Sequence, residues 1–308
     1  MNGTKILRTI RSGFRNLLGF PIMRFLYYSG LGKSIFVDSR GRAKLRKMEV
    51  YVANGCNLKC LFCSHLNPFR KGLIPADELI HSFEVWSQKV TPRKLGILGG
   101  EPLLHPELER ILRAARKFWP ESRLVLTSNA LLFPGKPDSL LEALRETNTQ
   151  VLLSRHLTGE ENEKKFQEIC SRLEGAGVWV TVIPSSSRWK RYYEIDENGQ
   201  PQPFHSNPRK AWTMCGPNTC FNLTDNQLFR CSILANAARA YREGVLNENW
   251  AVTQTYKPLQ ETATQNEIVE HLFFMRGPLQ ACSICPETTV LVEAEQLERI
   301  KNSQAKTL

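Results

Sequence analysis

Apolar residues run along this chain in two rhythms. From Met48 onward, the runs MEVYVA (48–53), KLGILG (94–99), RLVLTS (123–128), QVLLS (150–154) and VWVTVI (178–183) read as strands. Between them, near 75–90, 106–118, 138–147 and 160–175, apolar positions recur at helical spacing. Such alternation predicts an α/β fold: a parallel sheet with helices on its outer face. Right-handed crossovers curl such a sheet toward a barrel or partial barrel, with the chemistry at the carboxyl ends of the strands. Several special residues fall there, since Cys56, Gly99 to Pro102, Ser128, Asn129 and Ser154 each follow or close a strand.

The alternation stops near residue 184. Residues 185–214 are rich in Ser, Pro, Asn and Gly and read as a loop or linker, and 215–308 read as a second unit closing with a helix near 291–302. The expected division is an extension over 1–47, a core over 48–184, the linker, and the C-terminal unit. Within the extension, Ile6, Leu7, Ile10, Phe14, Leu17 and Leu18 recur at helical spacing with Arg8, Arg11 and Arg15 between them. Pro21 ends that helix, and a second apolar piece, IMRFLYY, follows.

Charge changes the picture at one place. The chain of 308 residues carries a net charge of +11, yet residues 1–48 alone hold eleven Lys and Arg against the single acid Asp38. The body is nearly neutral, and the basicity belongs to the extension. A basic amphipathic element can lie on an anionic membrane face, can pack on the outside of its own domain, or can serve as a transit peptide. No nucleic-acid-binding module accompanies it, so no nucleic-acid partner is expected. No apolar run reaches the about 18–20 residues that span a bilayer, and no secretion signal is visible. The expected location is cytoplasmic, with the membrane face as a variant.

Nine cysteines are many for such a chain, and a reducing compartment disfavours disulfides. Cys170 stands alone on the apolar side of a helical stretch and reads as a structural thiol. The others form two sets. Cys56, Cys60 and Cys63 lie in a loop after a strand, where three thiolates can wrap one soft metal centre, zinc or iron–sulfur. Structural zinc wants a fourth ligand, for which only His65 is near. Three cysteines on a [4Fe–4S] cluster would leave one iron open, as catalytic sites require.

The pattern C-x3-C-x-Φ-C, with Phe62 before its last cysteine, resembles the signature of the radical S-adenosylmethionine (SAM) superfamily. Gly99-Gly100-Glu101-Pro102 resembles the family's GGEP motif, which receives the SAM amino group. Ser128-Asn129 resembles a ribose-contacting position, Ser154 another SAM contact, and Arg155 a candidate for the SAM carboxylate. His105, in the following LLHPEL, reads as a turn-shaping residue. The resemblance covers roughly 48–183. It implies a partial (β/α)6 TIM-like barrel, a SAM-chelating cluster, a reduced flavodoxin or ferredoxin as electron donor, and hydrogen-atom abstraction from a substrate carbon.

The second set, Cys215, Cys220, Cys231, Cys282 and Cys285, resembles the SPASM extension or its shorter twitch form. Asn226 stands where the family usually has glycine, a mild departure because Asn tolerates the left-handed conformation. The resemblance implies one auxiliary [4Fe–4S] cluster on Cys215, Cys231, Cys282 and Cys285. Cys220 then reads as an alternative ligand, an inert thiol or a hydrogen-atom donor to a substrate radical. A structural zinc is the competing reading of the set. The likeness to aminocyclitol dehydrogenases and to carbohydrate-associated members points to oxidation or epimerisation of a sugar or cyclitol. Peptide modification is the second reading, and a non-catalytic iron–sulfur or zinc interaction protein the third.

Overall fold

A computed structural model describes residues 21–157, 159–183, 190–215, 220–275 and 277–292. The amphipathic stretch 6–18 and the helix expected near 291–302 fall on or run into residues outside this set.

Among the described residues the strands are β1 (Ala43–Leu45), β2 (Met48–Ala53), β3 (Val90–Pro92), β4 (Lys94–Gly99), β5 (Arg123–Ser128), β6 (Gln150–Ser154), β7 (Val180–Ile183), β8 (Glu194–Ile195), β9 (Pro201–Gln202), β10 (Phe221–Thr224) and β11 (Gln227–Phe229). The helices are α1 (21–28), α2 (Lys33–Phe36), α3 (Ala76–Ser87), α4 (Leu108–Phe118), α5 (Asp138–Glu146), α6 (Glu160–Gly175), α7 (Pro208–Met214), α8 (Ser232–Arg242) and α9 (Gln265–Val269).

The central sheet has seven strands in the order β11-β10-β2-β4-β5-β6-β7. Every pairing in it is parallel except the hairpin β10–β11. This is the α/β class expected from the alternation, a mostly parallel partial barrel. All six residues of β2 are buried, as a strand covered on both faces requires. Leu79, Phe83 and Trp86 of α3, Ile111, Leu112 and Ala115 of α4, and Leu140, Leu141 and Leu144 of α5 share one core with the sheet. The indole N–H of Trp119 donates to the Val90 carbonyl at 2.9 Å, so this buried ring keeps its polar atom satisfied. Cys170 packs against the same core.

Two features depart from the sequence reading. The hairpin β10–β11 belongs to the central sheet, pairing Phe221, Asn222 and Leu223 with Met48, Glu49 and Val50. Its turn residues Asp225 and Asn226 both take left-handed φ, 51° and 53°, as a two-residue hairpin of matching twist demands. The segment read as a linker is packed: it carries β8, β9 and α7, Tyr193 is 1% exposed, and Ala211 is buried. Its polar composition reflects turns that flank a few buried anchors.

A second core joins α8 to the short helical segments Glu248–Thr255 and Gln280–Ile284. Phe62 and Leu66, from the first cysteine loop, lie in this second core. Arg70 ties the same loop to α8: its guanidinium donates to Glu243 at 3.0 and 3.2 Å and to Asn236 Oδ1 at 3.3 Å. Arg239 holds the same carboxylate at 2.9 Å, so Glu243 keeps one cation when the other is lost. Replacing Arg70 by Met should therefore lower the unfolding free energy by about 2 kcal/mol. Urea unfolding followed by circular dichroism measures it, and an unchanged midpoint would remove Arg70 from the account of how loop and helix are joined.

Candidate active site

The ends of β2 and β4 are drawn together by backbone contacts that leave no space for side chains. Gly100 N–H donates to the Ala53 carbonyl at 2.7 Å, and Glu101 N–H donates to the Gly55 carbonyl at 2.9 Å. A Cβ on Gly99 would stand 2.4 Å from the Ala53 oxygen, and one on Gly100 would stand 1.9 Å from the Gly55 oxygen. Both glycines are thus required by the close approach of two backbones.

The loop that follows β2 carries the three cysteines. Cys63 N–H donates to the Cys60 carbonyl at 3.2 Å, and Leu66 N–H to the Cys63 carbonyl at 2.9 Å. Between Cys60 and Cys63, Phe62 takes φ 61°, a strained value for a bulky residue. Its ring is held 5.8 Å from that of Tyr193 and 4.7 Å below the Arg191 guanidinium.

Glu101 is 1% exposed, and its carboxylate is fully engaged by the chain. Oε1 accepts from Leu103 N–H at 3.0 Å and the Ser128 hydroxyl at 2.8 Å, and Oε2 accepts from Asn129 N–H at 2.8 Å. Burial nevertheless pushes its pKa up to about 7. The Asn129 amide in turn donates to Asn57 Oδ1 at 2.7 Å and reaches Cys56 Sγ at 3.7 Å. The GGEP carboxylate thus braces the ends of β4 and β5, and Ser128 and Asn129 reach it from the site side.

These elements surround one cavity of about 410 Å³. Cys56, Cys60, Cys63, Phe62, Gly99, Gly100, Glu101, Ser128, Asn129 and Ser154 all border it. Pro102 and Arg155 do not: Pro102 opens a buried helical turn, and Arg155 is ion-paired with Glu163. His65, which the sequence places beside the cysteine triad, borders it too, as do His156, Lys190 and Tyr192, which no sequence motif announces. His105 shapes the neighbouring turn, its Nε2 donating to the Ile74 carbonyl at 2.9 Å while Nδ1 accepts from Glu107 N–H at 3.1 Å. Burial pushes the Cys56 thiol up to about 12. Burial acts the same way on Cys63, but the hydrogen bond and charge of His65 hold that thiol below its ordinary value.

Cys215, Cys231, Cys282 and Cys285 converge on a second, smaller cavity, floored by Leu234 and Ile284. Burial, reinforced by the neighbouring sulfurs, pushes Cys215 up to about 11, Cys231 up to about 12, and Cys285 well above its ordinary value. Four partly buried thiols, three of them held further from ionisation by neighbouring sulfurs, suit a positively charged centre that would bind them as thiolates. Among the described residues, no three His, Cys, Asp or Glu side chains close on a single-ion position. A cubane cluster spreads its ligands over separate irons and does not need such convergence.

Cys220 stands apart. Its thiol donates to Glu49 Oε2 at 3.1 Å, with Lys47 Nζ 3.8 Å away, and it borders neither cavity. Both roles read for it in the sequence, auxiliary ligand and hydrogen-atom donor, need its sulfur at a cavity that it does not line. Lys190 and Tyr192 border the large cavity and, with Cys215 and Cys285, a third small one, so their segment is a wall between the two cysteine sets.

Residues 50–191 match the radical SAM superfamily, and the chain carries a radical SAM domain there. It is 30% identical over 162 residues to the GTP 3′,8-cyclase of Sulfurovum sp. (strain NBC37-1), covering 49% of each chain. Over 146 residues it is 30% identical to the GTP 3′,8-cyclase of Aquifex aeolicus (strain VF5), covering 45% of this chain and 43% of that one. The chain thus spans about half the length of the first and somewhat less of the second. Among solved structures, BtrN in complex with AdoMet and 2-DOIA aligns over 67% of this chain and 84% of its own, at 13% identity and a TM-score of 0.40. Streptococcus suis SuiB bound to S-adenosylmethionine aligns over 52% and 39%, at 19% identity and a TM-score of 0.40.

Two outcomes follow from the packing. Gly100→Ala must push the Gly55 carbonyl aside, so it should cost about 2 kcal/mol or more and lower the iron retained after anaerobic reconstitution; a full iron complement and an unshifted melting curve would contradict the close approach. Glu101 binds its proton more tightly in the folded chain than in the unfolded one. Its stabilising contribution is complete below the ordinary pKa of 4.5 and is lost as pH rises through about 7. In the metal-free chain this amounts to up to about 3 kcal/mol. Glu101→Gln cannot accept from Asn129 N–H through its amide nitrogen, so it should be less stable at low pH yet flat across that window; parallel urea titrations of both proteins measure the two slopes.

Proposed function

We propose that this protein is a radical SAM enzyme that oxidises a hydroxyl-bearing carbon of a carbohydrate or cyclitol. The observation that carries the reading is the single cavity bordered by Cys56, Cys60, Cys63, Gly99, Gly100, Ser128, Asn129 and Ser154, at the carboxyl ends of successive parallel strands. The donor set fits a [4Fe–4S] cluster with one open iron and a SAM molecule beside it. Bound there, the pair would supply one-electron cleavage of SAM and hydrogen-atom abstraction from substrate. Cys56, Cys60 and Cys63 hold the cluster. The Gly99–Gly100 backbone would border SAM at the strand end, while Glu101 keeps that backbone and Ser128–Asn129 in register.

Oxidation is favoured over epimerisation by two placements. The four cysteines around the smaller cavity suit an auxiliary [4Fe–4S] cluster, a place for the electron that an oxidation must discard. An epimerisation needs a hydrogen donor at the substrate, and Cys220 does not border the large cavity. The curated relatives are named GTP 3′,8-cyclases, so a nucleotide is the alternative substrate class to be tried beside sugars and cyclitols. Reduced flavodoxin or ferredoxin would supply the electron.

The test is anaerobic reconstitution followed by SAM turnover with a reductant. About eight irons per chain are expected, falling to about four in Cys282→Ala/Cys285→Ala, which should still form 5′-deoxyadenosine. Cys56→Ala should form none. Deuterium passing from a deuterated sugar or cyclitol into 5′-deoxyadenosine would identify the substrate class. A wild-type protein with four irons would remove the auxiliary cluster, and one that takes up eight yet never cleaves SAM would remove the enzyme.

A further inference from the structure

The N-terminal helix presents two contrasting faces. Tyr27 and Phe36 turn inward, their rings 5.7 Å apart, and Phe36 packs 5.2 Å from both Phe273 and Phe274. Tyr27 donates from its hydroxyl to Asn266 Oδ1 at 2.9 Å. On the flank, Arg24 and Tyr28 both hold the Glu270 carboxylate, at 2.9 and 2.8 Å. The element is therefore fixed to the body of the protein along one side.

The other side is apolar and open. Ile22 is 59% exposed, Phe25 64%, Leu31 79% and Ile35 54%, all within fifteen residues. Ile22 and Phe25 share a helix face at i, i+3 spacing, and Leu31 and Ile35 lie exposed in the turn and in α2 that follow. Singly exposed apolar residues are ordinary, but four together on one anchored element mark an interaction surface. Lys33, Arg40 and Lys44 lie close in sequence, and the only acid in residues 1–48, Asp38, is already bound by Arg42. Apolar side chains set among cations that no acid neutralises complement one partner above others, a bilayer with anionic headgroups.

We propose that the outward face of residues 21–35 docks on an anionic membrane surface, with Ile22, Phe25, Leu31 and Ile35 entering the acyl boundary and the flanking Lys and Arg meeting the headgroups. This surface is independent of the cysteine-lined cavities. Among the described residues no helix is long and apolar enough to cross a membrane, so the contact is peripheral. It fixes the whole molecule in one orientation, because the inward face of the same element is packed on the residues around 266–274.

Cosedimentation of the reconstituted protein, all 308 residues of it, with vesicles decides it. Binding is expected to vesicles containing phosphatidylglycerol, to weaken as salt is raised, and to be slight with phosphatidylcholine alone. Phe25→Asp/Leu31→Asp should lower the partition coefficient about tenfold or more while leaving the melting temperature and iron content unchanged, since both side chains are exposed. Equal binding to neutral vesicles, no binding, or undiminished binding by the double variant would each overturn the proposal. So would a wild-type dimer that the double variant splits into monomers, which would make the patch a seat for a second copy of the chain.

Discussion

The buried carboxylate of Glu101 is the point on which the site depends. A fully enclosed carboxyl group is costly to bury without partners, and here every partner comes from a segment that must be placed. Its oxygens collect the turn after β4 through Leu103 and the end of β5 through Ser128 and Asn129. Its own N–H fixes the Gly55 carbonyl, one residue before the first cysteine. The Asn129 side chain completes the circuit by reaching Asn57 and Cys56. Three strand ends are thereby held in one arrangement around the cavity.

That circuit explains why the sequence revealed the location of the site better than its internal workings. The strands were legible because β2, β4, β5 and β6 are continuous apolar runs punctuated by glycine, serine or cysteine at the same end. The three cysteines and the GGEP tetrapeptide are local patterns and could be read at once. Read locally, Glu101 looks like an acceptor for a ligand's ammonium. Its actual donors include residues 27 and 28 positions downstream, which no local pattern displays. His156, Lys190 and Tyr192 escaped for the same reason, since each reaches the cavity only through the path of the folded chain. The hairpin of β10 and β11 was hidden differently. Asn226 alone signals tolerance of left-handed geometry, but the joining of FNLT to QLF across Asp225–Asn226 depends on an open sheet edge at β2, which no local pattern displays.

The two cysteine sets are less separate than their spacing along the chain suggests. Lys190 and Tyr192 border the large cavity on one side and, beside Cys215 and Cys285, a smaller one on the other. A segment whose composition resembles a linker is therefore a partition between the two sets of cysteines. Arg70, bonded to α8 from the far end of the first cysteine loop, ties the same two regions together from another direction.

The left-handed turn at Phe62 carries a consequence for how the molecule is made. Its ring rests against Tyr193 and beneath Arg191, and it belongs to the core built around α8 and the segments near 250 and 282. During synthesis the three cysteines emerge from the ribosome well before any of those residues exist. A nascent chain ending at residue 184 already holds the whole cysteine loop, but nothing yet holds Phe62 in its strained conformation. The conformation of the loop at Phe62 is thus set only once the C-terminal third of the chain has arrived.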